Sequence, residues 1–291
     1  MKPGAAAQPP QPFFLDGGAD ARFCLYYPPV SSPVAPLCRG AIVYLHPFAE
    51  EMNKSRRMAS LQAAALAADG YAVLRVDLHG CGDSAGDFGD ATWEGWLADV
   101  ERASRWLRQH LGDALTEAPA IWGLRLGALL ALDHARRAAA PPAFVLLWQP
   151  VTSGAVFLTQ FLRLAVASQM LTADGGAGGT AALRTRLATG YALEIAGYLL
   201  NPALATAIDT LDAGTLPPPC PVHWLEVVPE AGRPLPAAAA RIVTRWQEAG
   251  ILVDAHAVPG PQFWATQEIA TCPALLDQTR HVLQALHHAA G

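Results

Sequence analysis

The chain has 291 residues, of which 15% are charged and 52% are hydrophobic, and its formal net charge is −5. So few charges among so many apolar side chains exclude an intrinsically disordered chain. The acidic balance leaves no basic surface for a nucleic-acid backbone, so no nucleic acid is expected as a partner.

The N-terminal segment and the cysteines bear on the compartment. Residues 1–12 contain no apolar run of signal-peptide length and are expected to form a disordered tail. The five cysteines are scattered without CxxC spacing, which indicates neither a disulfide framework nor a zinc site, and no metal is predicted. No uncharged apolar run is long enough to span a membrane. We therefore expect a cytoplasmic protein.

The globular part is predicted to open with an antiparallel hairpin, because β-prone residues 13–15 and 22–27 flank the turn sequence DGG at 16–18. Apolar runs then alternate with helical patterns along most of the chain. The predicted strands are residues 41–45, 71–76, 120–122, 144–148, 222–228 and 251–258. The predicted helices are one ending at residue 68 after a loop at 46–54, and those at 93–111, 126–137, 237–249 and 273–288. This order predicts an α/β fold with a mostly parallel central sheet and helices on both faces.

The alternation stops between residues 151 and 216, where the sequence is helical in character. We expect this segment to be a cap or lid inserted into a core built from residues 13–150 and 217–291; the alternative is that its helices pack on an edge of the sheet. The glycine-rich sequence at 174–179 predicts a flexible break inside it.

Residues 154–173 form the most apolar stretch of the insertion. Its apolar side chains include Phe157, Phe161, Leu162, Leu164, Ala165, Val166, Met170 and Leu171. A helix that is apolar nearly all round is typically buried, here as a lid. The alternative is a helix that rests on a membrane surface, which would make the protein membrane-peripheral.

The sequence IWGLRLGA at 121–128 has the pattern of a nucleophile elbow, a strained turn between a strand and a helix. Gly123 and Gly127 lie two residues on either side of the central Arg125, and a side chain at either glycine would collide where the two backbones pass closely. A pair of small residues at this spacing is also typical of a helix start that needs close packing.

In this context the chain resembles the α/β-hydrolase superfamily, and more narrowly the second type of hydrolase-like protein encoded beside exosortase A and exopolysaccharide genes in bacteria. The resemblance rests on LHPFAEEMNK at 45–54, DLHGCGDS at 77–84, WGLRLG at 122–127 and WQPV at 148–151. It implies an α/β-hydrolase fold with a helical cap insertion, a Ser-His-Asp mechanism, and exosortase-system proteins as partners.

The sequence departs from that mechanism at the nucleophile. The central position of the elbow is Arg125, and a guanidinium, whose pKa is above about 12, has no lone pair available to attack a carbonyl. The loop after the last predicted strand, residues 258–264, contains no histidine, and Gln262 is one residue that could occupy its place. His256 lies inside that strand.

Neither the other histidines nor the candidate acids complete a triad in the sequence. The other histidines near the C-terminus, His281, His287 and His288, lie on the last predicted helix. Glu226 and Glu230 lie on or just after the penultimate strand, where the superfamily often has its acid. With no histidine to orient, both are expected to be surface or pairing residues.

Arg125 can instead hold an anion, because it precedes a helix whose N-terminus already favours negative charge. The alternative is internal: Glu50 or Glu51, in the predicted loop 46–54, neutralises it. Gln149, at the carboxyl end of its strand, is well placed to bind a ligand in the crevice of an open sheet.

The other candidate ligand-binding residues are His46, at the start of the loop 46–54, and Asp83 and Ser84 in the glycine-rich loop, where Asp83 is alternatively a turn-forming residue. The segment Gly80-Cys81-Gly82 lacks the spacing of a dinucleotide fingerprint, so no cofactor is predicted.

Two functional hypotheses follow. In one, the protein is a non-catalytic binding or accessory protein, with an Arg125-centred pocket for a small-molecule or an acyl- or polysaccharide-related ligand. In the other, it hydrolyses an ester or related bond with a carboxylate-activated water, with Glu50 or Glu51 as the base. Two observations discriminate between these hypotheses: the distance between Arg125 and the carboxylates of Glu50 and Glu51, and whether any histidine opens into the same cavity.

Overall fold

In the computed structural model, which describes residues 8–30, 38–171 and 179–289, the chain opens with the predicted hairpin. Strands β1 (Gln11–Leu15) and β2 (Arg22–Tyr27) pair antiparallel. Gln11 and Pro12, which the sequence places in a disordered tail, belong to β1, because β2 extends far enough to pair with both.

The remaining elements follow the predicted alternation. The strands are β3 (Gly40–Leu45), β4 (Tyr71–Val76), β5 (Ala120–Leu124), β6 (Val145–Trp148), β7 (Leu193–Ile195), β8 (Tyr198–Leu200), β9 (Val222–Val228) and β10 (Val253–Pro259). The helices are α1 (Glu50–Ala68), α2 (Trp93–Leu111), α3 (Leu126–Arg137), α4 (Gly154–Leu171), α5 (Gly179–Ala188), α6 (Pro202–Thr210), α7 (Ala237–Glu248) and α8 (Pro273–Ala289).

Eight strands form one sheet in the order β1-β2-β4-β3-β5-β6-β9-β10. β2 is antiparallel to β4, and the other six strands of this sheet, β4, β3, β5, β6, β9 and β10, run parallel. The carboxyl ends of β3, β5, β6 and β9, which are neighbours in the sheet, therefore meet at one edge. In open α/β sheets this edge is where ligands bind.

Helices cover both faces of the sheet. Alternate residues of each strand point to opposite faces and so pack against different helices. Trp148 points toward α8, where its indole N–H donates to Thr279 Oγ1 at 2.9 Å. Trp224, on the opposite face, packs edge-on against Trp246 of α7. All three tryptophans are almost fully buried, so the parallel strands lie in a continuous apolar core.

Helix α1 begins at Glu50, and the predicted loop 46–54 is therefore too long. Glu50 and Glu51 lie in the first turn of the helix. Acidic side chains are stabilised there by the positive end of the helix dipole. Both carboxylates are thus held on a rigid element that starts at the edge where the strands end.

The insertion between β6 and β9 contains α4, α5 and α6, and α4 packs against α6. It is not wholly helical, because β7 and β8 form a separate antiparallel pair. The break predicted at 174–179 lies outside the described residues except for Gly179, which starts α5.

Helix α4 is buried on one side only. Phe157, Phe161 and Leu162 are buried, whereas Val156 and Leu164 are 57% and 51% exposed. The side chains of Met170 and Leu171 lie outside the described part of the chain. Within the described residues, no helix has the length and apolarity needed to cross a membrane.

Candidate ligand-binding cavity around Arg125

Three residues that follow neighbouring strands are held in strained backbone conformations. Ala49 follows β3 with φ of 51°, Arg125 follows β5 with φ of 55°, and Gln149 follows β6 with φ of 44°. A side chain at such a positive φ costs roughly 1 to 3 kcal/mol, and such strain concentrates at functional sites. The edge of the sheet predicted to bind a ligand is therefore also where the backbone is strained.

The turn around Arg125 has the steric requirements of an elbow. A Cβ on Gly123 would lie 2.5 Å from Ala128 Cα, and a Cβ on Gly127 would lie 2.6 Å from the carbonyl oxygen of His46. Neither separation is tolerated between non-bonded atoms. Both glycines are thus required by the close passage of β5, α3 and the end of β3, as the sequence pattern predicts.

Arg125 is fixed by contacts with three distant segments. Its Nε and Nη2 atoms donate to Glu51 Oε1, at 3.3 and 3.2 Å. Its guanidinium lies over the ring of Trp264, 5.5 Å from the ring centroid, and 6.0 Å from that of Phe157. The guanidinium is held both by an ion pair and by two cation–π contacts.

Trp264 belongs to the loop after β10, where the resemblance noted from the sequence implies a histidine. Gln262, the residue that could occupy that place, is exposed, whereas Trp264 is buried against Arg125. The loop therefore turns Phe263 and Trp264 inward and leaves Gln262 facing solvent. His256 lies in β10 and pairs with Asp254, away from the elbow.

Glu51 is the acid that neutralises Arg125. Burial raises the pKa of the Glu51 carboxyl, and the adjacent guanidinium of Arg125 opposes that rise. Only one carboxyl oxygen is used in the pair, since Oε2 is buried without a hydrogen-bond partner within the described structure. The internal alternative for Arg125 is thus realised through Glu51.

Glu226 is a second acid at this site, although the sequence predicts only a surface or pairing role for it. It is 2% exposed at the carboxyl end of β9, where its Oε1 accepts a hydrogen bond from the Trp224 indole N–H at 2.9 Å. Burial raises the pKa of Glu226 to about 7, although Trp224 and Arg125 both lower it. Glu226 is therefore not a surface residue, whereas Glu230 is exposed and faces Arg233.

Gln149 bridges the ends of two strands. Its backbone N–H donates to the carbonyl of Leu225 at 2.8 Å, and its side-chain Oε1 accepts from the N–H of Val227 at 2.7 Å. The second bond fixes the orientation of the carboxamide. The strained φ of Gln149 is the cost of this placement beside Glu226.

Arg125, Gln149 and Glu226 line a cavity of about 1050 Å³ that opens between the end of the sheet, α4 and α7. The rest of its polar lining is Thr152, Ser153, Gln160, Asp212, Arg241, Thr244, Arg245 and Glu248. Among the described residues that line it there is no histidine. Ser153 precedes α4 and accepts a hydrogen bond from the backbone of Val156.

The structure keeps the other predicted site residues out of this cavity lining. Glu50 is exposed, and its Oε2 accepts hydrogen bonds from Asn53 and from the Tyr198 hydroxyl of β8. Asp83 is exposed in the glycine-rich loop, and its backbone N–H donates to Asp77.

His46 and Ser84 are buried structural residues of the adjoining loops. Nδ1 of His46 donates to the Pro47 carbonyl, and Nε2 accepts from the N–H of Leu78, so the ring is neutral; burial also lowers its pKa. Ser84 donates to the carbonyl of Asp77 and accepts from the N–H of Phe23.

The arrangement offers two kinds of chemistry. Arg125 and the first N–H groups of α3, which have no partner within the helix, can hold a negative or polarised oxygen. Glu226 can exchange a proton near neutral pH. In the described part of the chain, no group of three or more His, Cys, Asp or Glu side chains is arranged to hold a metal ion.

Comparison with known proteins adds family evidence. A family model described as X-Pro dipeptidyl-peptidase (S15 family) matches residues 25–177. No curated protein sequence matches the chain.

Several solved structures are similar. The esterase Est1E from Butyrivibrio proteoclasticus, bound to ferulic acid, superposes with a TM-score of 0.62 at 14% identity, over 96% of this chain and 100% of its own. The acylaminoacyl peptidase of Pyrococcus horikoshii gives 0.59 at 13% identity, over 97% of this chain and 42% of its own. Alpha/beta hydrolase domain-containing protein 10 from mouse gives 0.52 at 15% identity, over 95% and 99%. At these identities the likeness concerns the fold alone.

Proposed function

The chain belongs to the X-Pro dipeptidyl-peptidase (S15) family and has the α/β-hydrolase fold expected from its sequence, and we propose that it uses this fold to bind a polar small molecule around Arg125 without a serine nucleophile. The observation that carries the proposal is the identity and setting of residue 125. The elbow keeps its strained geometry, but the side chain at its centre is a guanidinium paired with Glu51.

Arg125 is suited to binding and unsuited to covalent catalysis. It has no lone pair with which to form an acyl-enzyme. Trp264 covers it where a general base would be needed, and a lone serine elsewhere in the cavity would lack activation. The cavity around it has the size and the mixed polar and apolar lining of a small-molecule site.

The proposal is tested by asking what the purified protein retains. Small molecules released on denaturation are identified by mass spectrometry for the native protein, for Arg125→Ala, and for Arg233→Ala as a control arginine outside the cavity. We expect a ligand that is lost only from Arg125→Ala. Equal retention by all three proteins would contradict the assignment of the site.

A fluorophosphonate probe for activated serines tests the absence of a nucleophile. We expect no labelling of the native protein, because residue 125 cannot be phosphonylated and the loop after β10 offers no histidine. Stoichiometric labelling of any serine, Ser153 included, would show that a serine mechanism operates and would overturn the proposal.

A second candidate function is hydrolysis of an ester or related bond by a carboxylate-activated water, and the position of Glu226 favours it. Glu51 is engaged by Arg125 and Glu50 faces solvent, so Glu226 is the better base. It would take a proton from water while Arg125 and the N–H of Leu126 stabilise the oxyanion. Turnover of 4-nitrophenyl acetate by the native protein that is abolished in Glu226→Gln, but not in Glu230→Gln, would establish this function in place of the first.

The resemblance carried by the strings at 45–54, 77–84, 122–127 and 148–151 supports a finer assignment. We propose that the protein is an accessory component of the exosortase and exopolysaccharide system, located in the cytoplasm and in contact with exosortase-system proteins. The exposed Val156 and Leu164 of α4 support peripheral contact with a membrane surface. Co-sedimentation with anionic vesicles that Val156→Ser and Leu164→Ser weaken together would support that contact, and equal sedimentation would contradict it.

A further inference from the structure

Two arginines of α7 line the cavity without a partner of opposite charge. Arg241 and Arg245 are exposed, and neither forms an ion pair with any other residue that the structure describes. The third arginine of the lining, Arg125, is paired with Glu51 at 3.2 Å. The chain has 25 acidic and 20 basic residues, so a shortage of acids does not account for the difference. The cavity wall formed by α7 therefore presents two cations to a ligand.

The spacing of the two arginines selects among anions. Arg241 and Arg245 are four residues apart on one helix, so their side chains lie on the same face, with Cβ atoms about 5 to 6 Å apart. Each guanidinium is a planar fork that can bind two oxygens at once. A carboxylate has only two oxygens and is satisfied by one fork, whereas a phosphate ester presents three terminal oxygens. Two neighbouring forks therefore favour a phosphate group.

Arg245 is placed by the backbone of the segment before β9. A Cβ on Gly214 would lie 2.7 Å from Arg245 Nη2, so the guanidinium occupies space that only a glycine leaves open. Asp212 also lines the cavity, but its Oδ1 accepts the N–H of Gly214 at 2.8 Å, and in the described structure it forms no ion pair with Arg245. The guanidinium is thus already positioned at the cavity wall, which reduces the entropy lost when a ligand binds.

The other acids of the lining do not neutralise this wall. Burial raises the pKa of Glu226 to about 7, so it is partly protonated near neutral pH. Glu248 lies seven residues after Arg241, about 10 Å farther along the helix axis, and within the described residues it forms no ion pair with Arg245. The first turn of α7 contains no acid, and the side chain at its N-cap, Pro236, accepts no hydrogen bond. The positive end of the helix dipole therefore adds to the charge of Arg241.

The rest of the cavity requires an organic ligand rather than a simple ion. Its volume is about 1050 Å³, far more than a phosphate group fills, and Val151, Phe157 and Ile242 supply apolar lining. At the end of the sheet, Gln149 uses Oε1 to accept the N–H of Val227, which leaves its amide N–H groups as donors. An organic body that carries a neutral acceptor fits this part of the cavity.

We propose that the cavity binds an organic phosphate monoester, with the phosphate group on Arg241 and Arg245 and the organic part extending toward Arg125 and Gln149. This inference rests on the binding function proposed above and names the class of its ligand. It moves the anion from Arg125, where the sequence predicts it, to α7, because Glu51 already pairs with Arg125.

The test is calorimetric titration of the full-length protein with phenyl phosphate, benzoate, inorganic phosphate and phenol. It is carried out at about pH 7, where a phosphate ester, whose second pKa is about 6, is mostly a dianion. We expect phenyl phosphate to bind more tightly than the other three compounds. Its affinity should fall between about 0.05 and about 0.5 M salt, because exposed charges are screened.

Arg241→Gln and Arg245→Gln should each weaken the binding of phenyl phosphate about tenfold, the effect of one lost hydrogen bond to a charged group. The double variant should lose the salt dependence as well. The matched control is Arg136→Gln, because Arg136 is an exposed helical arginine outside the cavity lining and has no ion pair in the described part of the chain. Circular dichroism spectra and melting temperatures establish that every variant is folded.

Four outcomes would overturn the inference. They are no binding of phenyl phosphate, binding that both α7 variants leave unchanged, an equal loss in Arg136→Gln, and binding of benzoate or inorganic phosphate as tight as that of phenyl phosphate. Retention of an Arg125-dependent ligand without a phosphate group would also overturn it but would leave the binding function standing. Serine labelling, by contrast, would overturn the binding function.

Discussion

Replacing Glu226 by glutamine removes a buried cavity acid that titrates near neutral pH. Burial raises the pKa of Glu226 from 4.5 to about 7. Since one pKa unit corresponds to about 1.36 kcal/mol, ionising this carboxyl costs the folded protein about 3 kcal/mol relative to the unfolded chain. The folded pKa is the higher one, so this group's contribution to stability is complete below pH 4.5 and is lost as the pH rises through about 7.

Glutamine preserves the shape and can still accept the Trp224 hydrogen bond, but it does not ionise. Urea unfolding is measured at about pH 5 and about pH 8. Between these pH values the native protein should lose up to about 3 kcal/mol of its free energy of unfolding relative to Glu226→Gln. Glu230→Gln is the control, because the carboxyl of Glu230 is exposed. Its free energy of unfolding should change with pH as that of the native protein does. Parallel pH profiles for native protein and Glu226→Gln would refute the reasoning.

Three further outcomes are expected. Gly123→Val and Gly127→Val should each lose several kcal/mol in urea unfolding, because their Cβ atoms would overlap neighbouring backbone; native stability in both would remove the elbow. Arg125→Ala should lose about 3 kcal/mol by leaving Glu51 without its partner, and Glu51→Gln in the same chain should recover most of it; no recovery would mean that the ion pair is not what Arg125 stabilises. Arg125→Ser alone should hydrolyse 4-nitrophenyl acetate no faster than the native protein, whereas adding Trp264→His should raise the rate about 10² to 10⁴-fold; equal rates would place the missing histidine elsewhere.

The strands and helices of the core could be predicted from sequence because their signals are local. Tyr71–Val76 and Leu126–Arg137 were expected with the bounds they have. The sequence predicts too late a start for α1. It does not show the strained turn at Ala49, which allows the helix to begin at Glu50. The β7–β8 pair of the insertion is too short to give a periodic signal.

The sequence predicts only some of the residues of the site. Arg125 and Gln149 follow from the elbow pattern and from the carboxyl ends of strands, which are sequence features. The role of Glu226 depends on which face of its strand it occupies, and the role of Trp264 depends on which way its loop turns. A loop has no regular alternation of side chains, so the sequence does not predict the orientation of Trp264. Glu226 did carry a signal, because it shares the face of Val222 and Trp224 on β9 and must therefore be buried.

Because distant segments meet on Arg125, we expect the contacts around it to form late in folding. Glu51 precedes Arg125 by 74 positions, while Phe157 and Trp264 come from the insertion and from the loop after the last strand. Contacts between such distant segments require the closure of long loops, whose entropy delays them relative to each local strand and its following helix. Interactions that form after the transition state act mainly on the unfolding rate. We therefore expect the cluster around Arg125 to affect how long the folded state lasts more than how quickly it is reached.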